Sequence, residues 1–185
     1  MKRSIISAAV LSAVFMSAGA FAAVDTGTLT IKGLVLPASC SIVNEQNSST
    51  IILPDVSLEA INNLGLGQQL DGVSNASAAT KIKFKCEGKN HPSISFNESG
   101  FDGSYKDVTK NTSNEADGIG FKIYLQNARS DGQATTPIQP GESVKLAQES
   151  SGIYELDFKA YYARTKSVVA SGEVQSTITM QVSSD

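Results

Sequence analysis

The stretch AVDTGTLTIKG, residues 23–33, decides how the rest of the chain is read. Asp25-Thr26-Gly27 is the tripeptide on which aspartic proteases carry their catalytic carboxylate, yet the residues after it alternate like a strand. From Gly27 the odd positions run Gly27, Leu29, Ile31, Gly33 and Val35, with Thr28, Thr30 and Lys32 on the opposite face. An aspartic protease needs a second Asp, supplied by another lobe or chain, and a hydrophobic strand feeding the catalytic loop, so that two carboxylates meet in a buried site. No second Asp-Thr-Gly or Asp-Ser-Gly follows, and only Ala23 and Val24 precede Asp25 in the mature chain. The strand reading prevails, and the sequence points away from an enzyme.

The mature start is set by the residues upstream. Lys2 and Arg3, an apolar run from Ile5 to about Ala18, and Ala20-Phe21-Ala22 have the layout of a secretory signal with an A-x-A cleavage site, so residues 1–22 are expected to be removed. Of 15 basic residues, Lys2 and Arg3 leave with the signal; the remaining 13 face 18 acidic residues. That balance of −5 argues against nucleic acid as a partner, because phosphate binding needs a basic surface. The remaining 163 residues suit one domain with its own core.

Both cysteines, Cys40 and Cys86, lie in the exported part, and an even count in an oxidising compartment favours a disulfide. Two Cys and the lone His91 fall short of the four ligands of a structural zinc site. His91, beside Pro92, reads as a loop histidine, and a single histidine cannot supply the base of more than one catalytic arrangement. No Gly-rich phosphate loop joins a strand to a helix. Asp102, Asp107, Glu115 and Asp117 lack an EF-hand spacing and read as a solvated acidic loop. Sequons at Asn47, Asn75, Asn97 and Asn111 are expected by chance in a chain rich in Asn and Ser. No cofactor, metal or small-molecule substrate is expected.

Period-2 patterns recur along the chain. In KIKFKC, Ile82, Phe84 and Cys86 share one face; in IGFKIYLQ, Ile119, Phe121, Ile123 and Leu125 do; in YELDFKAYY, Tyr154, Leu156, Phe158, Ala160 and Tyr162 do. Shorter candidates are residues 50–53, 93–96 and 143–146, and Asp-Gly or Pro-Gly pairs punctuate the intervals. One short helix is expected in SLEAINNLG, capped by Ser57 and ended by Gly65. Seven or so strands, with a disulfide between two inward faces, indicate an immunoglobulin-like β-sandwich.

The two ends of the chain carry strands without obvious partners. Beyond Val35 the inward parity changes to Leu36, Cys40 and Ile42, so one continuous strand cannot keep both sets in one core. Either a β-bulge lies near Pro37, or residues 23–35 form a separate element belonging to another sheet. At the C-terminus Val174, Ser176, Ile178, Met180 and Val182 alternate with Gln175, Thr177, Thr179 and Gln181.

Taken together, GTLTIKGLVLPASC, LPDVSLEAINNLG, IGFKIYLQNARSDGQATTPIQPGESVKL and FKAYYARTKSVVASGEVQSTITMQV resemble a fimbrial (pilus) subunit of the bacterial chaperone-usher class, over essentially the whole mature chain. The resemblance implies an incomplete immunoglobulin-like β-sandwich, residues 36–185, completed by donor-strand complementation, with residues 23–35 as the donor-strand extension. The donor pattern then falls on Gly27, Leu29, Ile31, Gly33 and Val35, and the groove strand on Val174, Ile178, Met180 and Val182. The implied partners are neighbouring pilin subunits, a periplasmic chaperone that first lends a strand, and an outer-membrane usher, with the chain exported through the periplasm to a surface fimbrium. Met180 and Val182 stand where family members usually carry a next-to-last aromatic. On this reading Gly27→Val impairs assembly and leaves the subunit's own fold intact. The alternative is a single-domain binding subunit recognising a host glycan or protein.

Overall fold

The computed structural model describes residues 23–24, 27–37, 39–43, 48–74, 81–87, 91–127, 130–132, 135–147 and 150–184. The expected signal segment, Asp25, Thr26 and the sequons at Asn47 and Asn75 lie outside the described residues. Among the described residues, eleven strands and one short α-helix follow in order: β1 (Ala23–Val24), β2 (Gly27–Val35), β3 (Cys40–Ile42), β4 (Ser49–Leu53), β5 (Val56–Ser57), α1 (Leu58–Asn62), β6 (Lys81–Cys86), β7 (Pro92–Phe96), β8 (Ile119–Leu125), β9 (Val144–Lys145), β10 (Ile153–Arg164) and β11 (Val174–Ser184). α1 is capped by Ser57, whose side chain accepts from the Ala60 amide at 3.2 Å, as the sequence predicts.

Two sheets pack face to face as an immunoglobulin-like sandwich. One has the order β3-β6-β10-β8, the other β4-β2-β11-β7-β9, and β1 pairs with β5 in a small ribbon. The period-2 patterns translate directly into burial. Ile82, Phe84, Leu156, Phe158, Tyr162, Phe121 and Ile123 from the first sheet meet Leu29, Ile31, Ile51, Leu53, Ile94, Ile178 and Met180 from the second, all within 1% of full burial. Phe96 and Phe158 meet edge to face across the interface, with ring centroids 6.0 Å apart. At the far end of β10, the Arg164 guanidinium donates to the carbonyls of Asn62, Leu64, Lys166 and Ser167, tying the end of α1 to the turn before β11.

The disulfide forms between the expected cysteines but in a different place from the one the sandwich pattern suggests. Cys40 on β3 faces Cys86 on β6 within one sheet, with a Cα–Cα distance of 4.0 Å, rather than joining the two sheets. The reason is the brevity of β3: it adds only three residues at the sheet edge, and the bond fixes them there. The closed loop spans 46 residues, for which the chain-entropy model gives about 4 kcal/mol. Replacing both cysteines by Ala is expected to lower the unfolding free energy by about that amount in urea titrations, with an m-value no smaller than the wild type's because the unfolded chain is less constrained; a change below about 1 kcal/mol would contradict this role.

The parity change after β2 also has a structural cause. Lys32 pairs with Thr179 and Val35 with Gln181, so Gly33 and Leu34 together oppose Met180 alone. This is a bulge on β2, three to four residues earlier than the Pro37 position considered from the sequence, and it carries the glycine that such irregularities favour. β3 then begins at Cys40 in the other sheet.

Candidate functional site: the groove between β4 and β11

Without β2 the five-stranded sheet would be split. β4 and β11 do not pair with each other; β2 lies between them, antiparallel to β4 and parallel to β11. Gly27 sits opposite Val174 and Leu53, Leu29 opposite Ser176 and Ile51, and Ile31 opposite Ile178 and Ser49. The extension is therefore found in this chain's own sheet, not in another. It is also the strand with the most extensive neighbour contacts along β11, pairing over nearly its whole length.

The residues expected to form the donor face divide at the bulge. Leu29 and Ile31 are 0% and 1% exposed, and Gly27 is buried. Val35, expected to face the same groove, is 55% exposed, because the extra residue at Gly33–Leu34 turns it to the outer face. Gly33 lies in β2 at that bulge. Val174, Ile178, Met180 and Val182 are all buried on β11. Ser176, on the same face, is satisfied by accepting from the Thr109 hydroxyl at 2.9 Å and donating to the Lys110 carbonyl at 2.8 Å, which ties β11 to the loop before β8 independently of β2.

Gly27 meets a residue that the sequence places only among the inward positions of a strand. An ideal Cβ on Gly27 would lie 2.2 Å from Tyr162 Oη and 2.6 Å from its Cζ. Tyr162 is fully buried, donates to the Pro54 carbonyl at 3.1 Å and accepts from the Gly27 amide. One hydroxyl thus holds the first residue of β2 and the chain just after β4. Nothing in the sequence signals this contact, because it joins residues 135 positions apart on opposite sheets.

Burial pushes the Tyr162 hydroxyl up to about 12, against the smaller opposing effect of the Gly27 amide. A folded value above the ordinary 10 means that this group's contribution is complete below about pH 10 and is lost as pH rises through about 12. Between those limits wild-type stability is expected to fall more steeply than that of Tyr162→Phe, which starts lower by about 1 kcal/mol for its lost hydrogen bonds. Parallel slopes in alkaline urea titrations would contradict it.

Other sequence candidates are engaged elsewhere. Asp107 pairs with Lys122 at 2.6 Å, Asp117 pairs with Lys166 at 2.7 Å, and Asp102 accepts from the amides of Ser104 and Tyr105, so the acidic residues are spread over separate turns and pairs. Among the described residues no group of His, Cys, Asp and Glu is placed to hold a metal ion. His91 is exposed, and Asn97 caps the 3₁₀ turn at Glu98–Gly100. The Asn111 side chain accepts from the Ser113 and Gln175 amides and donates to the Ala116 carbonyl, which ties it into the fold.

Fold and groove define a class: an immunoglobulin-like sandwich whose second sheet is completed by an N-terminal strand inserted beside the last one. The family model described as "Fimbrial protein" matches residues 28–185. Over 188 aligned positions, which cover the whole of both chains, the sequence is 35% identical to the fimbrial-like protein YehD of Escherichia coli (strain K12). The chain belongs to the fimbrial protein family. Similar solved structures include a Burkholderia pseudomallei antigen and type I fimbria protein, at 22% identity and TM-score 0.41 over 86% of this chain and 94% of that one. The CupB6 tip adhesin from Pseudomonas aeruginosa aligns at 16% identity and TM-score 0.43, over 88% of this chain and 42% of that one.

Proposed function

We propose that the protein is a structural subunit of a bacterial surface fimbria that supports adhesion and polymerises by donor-strand exchange, residues 23–35 of one copy completing the sheet of the next. The observation that supports this most directly is the groove between β4 and β11, which needs a strand, together with a strand that is joined to the rest of the domain by only residues 36–39. A strand on such a tether can be exchanged between identical chains, and head-to-tail exchange of this kind does not close, so it builds a filament. Adding an extended strand to an open sheet edge is a general recognition mode, with chaperone and pilin pairs among its known instances. During export the same groove would be covered by the strand of a periplasmic chaperone, then delivered to the outer-membrane usher, because an uncovered groove with unpaired edge groups aggregates.

Electron microscopy of a strain lacking this chain is the direct test. Loss of all shafts identifies a major subunit, shortened or tipless fibres a minor one, and unaltered fibres would overturn the reading.

A further inference from the structure

The sheet β3-β6-β10-β8 turns its outer face to solvent, and the outward positions of β6 and of β10 beside it are charged: Lys81, Lys83, Lys85, Glu155 and Asp157. The far end of that face departs from the pattern. There Tyr124 of β8 and Tyr161 of β10 point outward, both half-buried, with ring centroids 5.6 Å apart and planes at 90°. Two hollows open against them. One, of about 240 Å³, is lined by Gln69, Tyr124, Gln126, Thr135 and Tyr161. The other, of about 620 Å³, shares Gln69 and Tyr124 and adds Leu64, Leu70, Asp71 and Lys122. Neither belongs to the groove between β4 and β11, which lies in the other sheet.

The polar groups around the two rings are fixed in advance. Residues 67–70 run beside the end of β10: the Gly67 amide donates to the Arg164 carbonyl and the Leu70 amide to the Tyr162 carbonyl, each at 2.8 Å. Gln69 is thereby set opposite Ala163. Its side-chain oxygen accepts from the Tyr124 hydroxyl at 2.5 Å, and its Nε2 donates to Asp71 Oδ1 at 2.9 Å. Held at both ends, the amide keeps one orientation. Burial, helped by the charge of nearby Asp107, pushes the Tyr124 hydroxyl above its ordinary value and keeps it protonated as the donor. The Lys159 ammonium lies 5.1 Å from the Tyr161 ring centroid and steadies that ring.

The arrangement offers aromatic surface beside a rim of amide, hydroxyl and carboxylate groups. A pyranose ring has the matching halves: a patch of C–H groups, faintly positive against the negative face of an aromatic ring, and hydroxyls that both donate and accept. Charge selects further. Lys122 is paired with Asp107 at 2.6 Å, while Asp71 and Lys159 stand at the site with opposite signs. An anion would meet the Asp71 carboxylate and a cation the Lys159 ammonium, so an uncharged ligand is the one that neither repels. The geometry points to a binding site for a neutral saccharide on the outer face of β8 and β10, with Tyr124 and Tyr161 as stacking surfaces and Gln69 and Asp71 as its hydrogen-bonding rim. The larger hollow falls within the range of about 300–1,000 Å³ usual for small-ligand sites. The whole site lies in one chain and needs no polymer. Repeated along a fibre, weak sites would gain by avidity, and that gain alone rests on the subunit reading above.

Amide NMR spectra of the purified chain, titrated with lactose, maltose and mannobiose, test the site. At least one of these sugars is expected to shift the amides of residues 67–71, 122–126 and 159–161, with a Kd of about 1 mM or tighter. Tyr161→Ala is expected to weaken that binding about tenfold through the lost stacking surface. Tyr124→Phe keeps the ring and its packing but releases Gln69, and is expected to weaken it about fivefold; it also serves as the probe should Tyr161→Ala fail to fold. The inference is overturned if none of the three sugars shifts these amides, or if one does so with a Kd that neither variant changes. Binding of sialyllactose alone, lost in Lys159→Met, would assign the site to an anion and overturn it as well. Each of these failures leaves donor-strand exchange standing, because the groove between β4 and β11 takes no part in the measurement.

Discussion

Deleting residues 23–33 is expected to leave a chain that cannot hold its fold alone. Leu29 and Ile31 are fully buried, and each contributes roughly 1.5–3 kcal/mol by burial. The ladders to β4 and β11 go with them, and Ile51, Leu53, Val174, Ile178 and Met180 lose the strand that covers them. Against a total stability of about 5–15 kcal/mol this removes most of the margin. The truncated chain is expected to aggregate on purification unless a chaperone covers the groove. A synthetic peptide of residues 27–35 added during refolding should restore a monomer with cooperative melting. A truncated chain that melts within about 2 °C of the full one, with no peptide present, would show that the groove needs no strand.

Gly27→Val has the next largest effect. The sequence alone suggests that it spares the subunit's own fold, since a donor strand is expected to leave for a neighbour. The structure reverses that expectation, because Gly27 touches the chain's own Tyr162. A Cβ at 2.2 Å from a buried, hydrogen-bonded hydroxyl has nowhere to go, so either Tyr162 leaves Pro54 or β2 lifts from its groove. Overpacking of this kind costs about 1–3 kcal/mol, with the lost Tyr162 bonds adding about 1 kcal/mol more. Thermal melting of the monomer is expected roughly 5–10 °C lower. Gly27→Val should cost less in a Tyr162→Ala background than in the wild type if the clash is its cause; a melting point unchanged in Gly27→Val would contradict the contact itself.

Much of the sandwich was legible because a half-buried strand advertises its inward face. KIKFKC, IGFKIYLQ and YELDFKAYY each appear as strands with the anticipated residues buried, since period-2 alternation is a local property. The inward faces of β2 and β11 were legible for the same reason, up to Val35. There the alternation failed, because the bulge at Gly33–Leu34 depends on how β2 pairs with β11, and Gly33 by itself does not fix that register.

By itself, then, the sequence determined which residues are strands, which faces are apolar, that two cysteines pair and which family the chain resembles; all of these follow from local periodicity, composition and motif order. Tertiary structure decided which strands are neighbours. It put β2 parallel to β11 in the chain's own groove, set the disulfide within one sheet and brought Tyr162 beneath Gly27. Pairing, register and close approach arise between segments far apart in the chain, where steric fit and hydrogen-bond geometry choose among partners that look equally apolar in sequence.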